Sequence, residues 1–168
     1  KSISKDNSID IEFINHFLKY IKNNKIKTPE LIIHLSPTVP FREKNIITKA
    51  IKLIKKTQHS TALRSVNRIQ ITPYKIFLIK DNYLKGFFPN LDYEYYNLPS
   101  QTYPQTYLPN GQVDIIKPKK IKKNNLHGKK LLPFITEPSL DIDYKSDIIN
   151  SNQYLTDKRF KYLNKYLK

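Results

Sequence analysis

The chain contains no cysteine, methionine or tryptophan, only three glycines, and 14 acidic residues against 30 basic ones. Without cysteine there is no disulfide framework and no thiolate zinc site. The glycines stand singly at 86, 111 and 128, so no glycine-rich loop cradles phosphate with its backbone N–H groups. The longest apolar runs, such as residues 31–33, fall far short of the roughly 20 residues of a membrane span. No hydrophobic segment at the start reads as a secretion signal. A cytoplasmic protein with no membrane partner is the resulting expectation. The absent methionine, with Lys1 directly ahead of a helix-starting segment, adds the expectation of a fragment or a processed chain.

What is present describes a globular domain. The 168 residues suit one domain with a real core, and 39% are hydrophobic, with twelve tyrosines. The formal charge of +16 has two readings. One is affinity for a polyanion, including nucleic acid. The other is a Lys-, Ile-, Asn- and Tyr-rich codon bias combined with an anionic small substrate.

Hydrophobic spacing predicts a helix from Ile11 to Ile21 with Asp10 as N-cap. A strand is expected over 30–35, an amphipathic helix over 43–56 with Glu43 in its first turn, and strands over 61–66 and 75–79. Strand, helix, strand at this spacing reads as a βαβ unit and a parallel sheet. Residues 80–109 lose periodicity and crowd aromatics among prolines, which reads as an excursion ordered by packing, with a second subunit as one cover. Strands return over 113–117 and 130–136, separated by a basic connector, and Thr156 is expected to cap a closing helix with Phe160, Leu163 and Leu167. The four histidines are scattered, without metal or triad spacing, and read as structural.

Four segments carry candidate chemistry. In Asp141-Ile142-Asp143, extended backbone would turn both carboxylates to one side, an oxygen platform suited to Mg²⁺ or simply a solvated turn. The segment LSPTVPFR at 35–42 leaves a strand for a helix, where α/β sheets place ligands. Its Ser36 is a short hydrogen-bonding group, and its Arg42 suits a phosphate or a surface pair with Glu43. In TALRSV at 61–66, Arg64 is a charge inside a strand, either paired or at an edge. In LPSQTYPQTYLPNGQVDII at 98–116, Gln101 and Asn110 offer amides that suit sugar hydroxyls, while Pro109-Asn110-Gly111 also reads as a plain turn.

Taken in order, these four segments resemble the CMP-sugar synthetases, the acylneuraminate cytidylyltransferases, over nearly the whole chain. The resemblance implies an α/β fold with a mainly parallel sheet and helices on both faces, a single domain over 1–168 and a dimerisation excursion at 80–109. It implies transfer of CMP from CTP to the anomeric hydroxyl of a nine-carbon sugar acid, in a homodimer. Asp141 and Asp143 would hold Mg²⁺, and Lys75, matching a family lysine, would act on the sugar acid or the partner's site. Ser36, Arg42, Arg64, Gln101 and Asn110 would bind substrate. Three departures stand out: Ser36 replaces a longer Gln or Arg, Ser100 replaces an arginine, and Asp114 replaces an aromatic. The last points to the pseudaminic or legionaminic acid branch. The family's opening strand and phosphate loop have no match here, so roughly 60 residues, about two βαβ units, are expected to be absent from the start. The alternatives are a small basic nucleic-acid-binding protein of ribosomal type and a non-catalytic remnant of the same fold.

Overall fold

The computed structural model describes residues 9–92, 94–122 and 125–166. Its centre is a four-stranded sheet in the order β1 (Ile32–His34), β5 (Tyr107–Ile116), β2 (Ala62–Arg68), β6 (Leu131–Ile135). Strands β1, β2 and β6 run the same way, but β5 lies between β1 and β2 and is antiparallel to both. The sheet is therefore mixed, and the expected parallel pairing survives only at β2–β6. Local pattern identifies each strand but not the slot it enters, and β5 takes the place between the two strands of the anticipated βαβ unit.

Helices cover both faces, as the alternation along β5 requires. Val113 and Ile115 join Leu63 on one face, against Ala50 and Ile54 of α2 (Ile46–Lys56). Ile116 points the other way and packs with Ile14 of α1 (Asp10–Asn23) and Leu126. Both helices start close to their expected positions, with corrections. Ile9 is the N-cap of α1 and Asp10 its first residue. Helix α2 begins after Asn45, whose φ of +66° ends the preceding loop, so Glu43 lies ahead of the first turn.

Two further corrections concern the excursion and the C-terminal part. Residues 75–79 do not join the main sheet. Pro73–Lys75 is a 3₁₀ turn, and β3 (Phe77–Lys80) pairs antiparallel with β4 (Tyr83–Gly86) as a separate hairpin. Its turn residues Asp81 and Asn82 have φ of +54° and +66°, the left-handed pair that a two-residue hairpin favours. Much of the aromatic crowding is internal. Tyr74 stacks on Tyr103 at 5.2 Å, Tyr95 is buried, and its hydroxyl accepts the Phe88 N–H at 2.7 Å.

Helix α3 (Lys145–Thr156) was not anticipated, and Thr156 is its last residue rather than a cap. Asp147 starts it, its carboxylate accepting the N–H groups of Asp143 at 3.1 Å and Tyr144 at 2.8 Å. Beyond it, Phe160 is buried against Phe41 and Tyr154, and residues 161–166 form a 3₁₀ turn. Leu167 lies outside the described residues. Among the described residues no helix is long and apolar enough to cross a membrane.

Candidate functional site

The PNG triplet is a bulge inside β5, not a terminal turn. Across from it, pairing with β2 jumps from Arg64–Asp114 to Val66–Pro109. Residues 110–113 thus pass opposite Ser65 alone, whose hydroxyl accepts the Val113 N–H at 2.9 Å. Gly111 makes this possible. Its φ is +64°, and a Cβ there would meet Val39 Cγ2 at 2.9 Å and Ser36 Cβ at 3.1 Å.

The 35–42 segment closes over this bulge. Arg42 binds the two together: Nε donates to Gln112 O at 2.7 Å, and Nη2 to Ser36 O at 2.6 Å and more weakly to Gly111 O at 3.5 Å. Burial pulls its pKa below the ordinary guanidinium value. The Tyr162 hydroxyl donates in turn to the Arg42 carbonyl. Glu43 pairs at 4.0 Å with Arg159, not with Arg42. Ser36 Oγ lies 2.8 Å from Thr38 Oγ1.

The acidic tripeptide docks onto the same loop, where Ile142 N–H donates to Thr38 O at 2.8 Å. Three residues earlier, Ser139 Oγ donates to Asn110 O at 2.8 Å. Asp141 and Asp143 flank the half-buried Ile142 and are both exposed. Neither carboxylate accepts a hydrogen bond or pairs with a cation among the described residues. Two free oxygen donors at alternate positions fit a cation that takes few protein carboxylates and completes its shell from phosphates and water. Among the described residues no group of three or more His, Asp or Glu side chains is arranged for a metal.

The amides divide. Asn110 is engaged locally, its Nδ2 donating to Thr136 Oγ1 at 2.7 Å and its Oδ1 accepting Gln112 N–H at 3.4 Å. Gln101, on a 3₁₀ turn, is exposed and lines a cavity of about 790 Å³ with Asn67, Arg68, Gln105 and Thr136. Thr136 thus connects the bulge to the Gln101 cavity. Lys75 lies apart at the end of the Pro73–Lys75 turn, its Nζ 5.8 Å from the ring centre of Tyr103 on the excursion.

Arg64 is paired. Its partner, Asp114, lies directly opposite on β5, with His34 next in the same row on β1. His127 Nε2 sits 3.8 Å from the Asp114 carboxylate, and His34 Nδ1 is 4.0 Å from Asp10. This row, with Ser36, Pro109 and Gly111, borders a small cavity of about 210 Å³. Burial, then Arg64, lowers the His127 pKa, against the opposite pull of Asp114 and Asp10. Sequence reasoning missed the grouping of His34, Asp114 and His127, because strand order and not spacing creates it. Gln112 was also missed; it is buried, its Nε2 donates to Glu137 O at 2.8 Å, and its Oε1 has no hydrogen-bond partner among the described residues.

The structure therefore gathers Ser36, Arg42, Arg64 and Asn110 around one bulge, with the Asp141–Asp143 segment bonded alongside. It leaves Gln101 one step removed and Lys75 separate.

No protein-family model matches the chain. Over 154 residues it is 32% identical to the N-acylneuraminate cytidylyltransferase of Escherichia coli O18:K1:H7 (strain RS218 / NMEC). The match takes in 88% of this chain and 34% of that protein, so the chain spans about a third of the length of this relative.

Proposed function

We propose that this chain supplies the sugar- and metal-binding part of a cytidylyltransferase acting on a nine-carbon, sialic acid-like sugar. The anomeric oxygen would form a bond to the α-phosphorus of CTP as the bond to the bridging α–β oxygen breaks, giving the CMP-sugar and pyrophosphate. The observation that carries the reading is the Ile142–Thr38 backbone bond, because it fastens two unpaired carboxylates beside the loop and bulge that hold the other motif residues. The 32% identity to a cytidylyltransferase supports the same class of reaction.

Asp141 and Asp143 are assigned to Mg²⁺, which when bound neutralises charge developing on the phosphates. Arg42 fixes the 35–42 loop to β5, and its role is to hold this geometry. Ser36 presents a hydroxyl to the nucleotide side, and Gln101 offers an unengaged amide to the sugar. Asn110 shapes the bulge that both sides meet, and Arg64 sets the charge of the small cavity. Lys75 is assigned to the sugar acid, on its own subunit or across a dimer. Positioning of this kind supplies most of the catalysis in phosphoryl transfer. Asp114 at a position that is aromatic in sialic acid synthetases favours a pseudaminic or legionaminic acid.

The dimer is assigned to the β3–β4 hairpin. All but one of its strand residues are exposed, including Ile79 at 79%, Tyr83 at 73% and Leu84 at 67%. An isolated two-stranded hairpin is marginal in water, and a contiguous apolar surface favours a partner.

The test is calorimetric titration of this chain with CTP and Mg²⁺, then with sialic, legionaminic and pseudaminic acids, alongside pyrophosphate release. Sugar-acid binding that depends on Gln101, with Mg²⁺ uptake that depends on Asp141 and Asp143, is the expected result. Unchanged Mg²⁺ uptake in Asp141→Asn and Asp143→Asn, with no binding of any sugar acid, overturns the reading.

A further inference from the structure

The opposite end of the sheet carries a second feature that this function does not use. A cavity of about 650 Å³ opens there between the segment preceding β1, the C-terminal turn of α2 and the 3₁₀ turn after β5. Five lysines line it, Lys27, Lys55, Lys117, Lys119 and Lys120, against one carboxylate, Glu30. Among the described residues only Lys117 of the five has a hydrogen-bond partner, its Nζ donating to Ser60 O at 2.8 Å and Ser60 Oγ at 3.3 Å. Lys27, Lys55, Lys119 and Lys120 are exposed and form no ion pair among the described residues.

The floor is apolar, with Leu31 half-buried and Ile54 fully buried. Like charges around a concave, low-dielectric floor repel one another and focus an attractive field on anions. The turn that presents Lys119 and Lys120 is fixed by Lys120 N–H donating to Lys117 O at 2.8 Å and Ile121 N–H to Pro118 O at 3.2 Å. We infer that this cavity binds a small polyphosphate anion, a chain of two or three linked phosphates, at a site separate from the carboxylate pair. Several lysines spread around 650 Å³ suit several phosphates rather than one, each ammonium acting as a point charge on a phosphate oxygen. A single-stranded nucleic acid is the poorer fit, because such strands need aromatic platforms and this lining has none.

The probe is inorganic tripolyphosphate, titrated calorimetrically into the chain in EDTA at about 150 mM salt, where exposed charges more than ~8 Å apart are screened. Saturable one-site binding is expected. Lys27→Gln/Lys119→Gln/Lys120→Gln should weaken it at least tenfold, while Lys19→Gln/Lys158→Gln/Lys161→Gln, equal in charge removed, changes it less than twofold. Amide shifts in the wild-type protein should concentrate at residues 27–31 and 117–120. Equal losses in the two triple variants, shifts spread over the surface, or no saturable binding at this salt would each overturn the inference. So would an oligonucleotide that binds the same face while tripolyphosphate does not.

Discussion

Arg64 and Asp114 face each other across neighbouring antiparallel strands; Nε of the guanidinium donates to one carboxylate oxygen at 2.8 Å, and Nη2 lies 2.7 Å from the same oxygen in an ion pair. Asp114 is 8% exposed, so each partner is the main compensation for the other's lost hydration. Removing Arg64 leaves a buried carboxylate, and removing Asp114 leaves a half-buried guanidinium. Arg64→Gln or Asp114→Asn should each cost about 3 kcal/mol in denaturant unfolding, and the double variant less than the sum. Additive losses in the cycle would mean the pair is not coupled.

Gly111 is held to its identity by two independent constraints, a positive φ and contact with Val39 and Ser36. Val39 is fully buried and has no room to retreat. Gly111→Ala should therefore destabilise the fold by roughly 2 kcal/mol, well beyond a helix-type glycine effect. Gly86→Ala makes a useful comparison, since its new Cβ would meet the Tyr95 hydroxyl at 2.6 Å without a positive φ.

The sequence leaves Arg42 open to a phosphate or to a surface pair with Glu43, yet its guanidinium is occupied by main-chain carbonyls of two segments. A lysine lacks the planar fork needed to reach both. Arg42→Lys should lower unfolding stability by about 1–3 kcal/mol. Its effect on substrate binding should follow that loss of structure. A variant of full stability with impaired CTP binding alone would instead assign Arg42 to the phosphate.

His127 gives a pH dependence with a definite sign. Its folded pKa is lowered by burial and by Arg64, so below the ordinary value of about 6.5 the unfolded chain binds the extra proton first. Its contribution is complete above that value and is lost as pH falls through it toward the lowered folded value. His127→Gln should flatten the unfolding free energy as the pH falls below about 6.5, while the wild type slopes downward with acidification. An identical slope in both proteins would assign the acid sensitivity to other groups.

These cases show what the sequence made legible. The apolar period located both α1 and α2 and four of the strands of the structure, because burial of one helix face or one strand face is written in local spacing. The motif segments around Ser36, Asn110 and Ile142 meet in the fold. The antiparallel slot of β5 was not legible, because strand order depends on long-range pairing. That one fact hides the His34–Asp114–Arg64 row, whose members are 30 to 80 residues apart in pairs only the sheet brings together. Helix α3 escaped for another reason: it buries no residue fully, so no apolar stripe marks it, and its start is set by the Asp147 cap.

Ile79 and Leu84 are directly paired across the β3–β4 hairpin, and both side chains project from the domain. Four residues per strand joined by a tight turn supply little stability of their own, so the order of this hairpin depends on what covers it. If a second copy is the cover, Ile79→Glu places a charge at the centre of an apolar contact and should shift the protein from dimer to monomer in size-exclusion chromatography with light scattering. The main sheet lies elsewhere, so far-ultraviolet circular dichroism and the unfolding midpoint of the domain should change little. A wild-type chain that stays monomeric up to about millimolar concentration would remove the homodimer, since an interface weaker than that supplies less than about 4 kcal/mol of association. Lys75 would then have only its own subunit's site to serve, and its 5.8 Å approach to the Tyr103 ring would count as packing of the excursion.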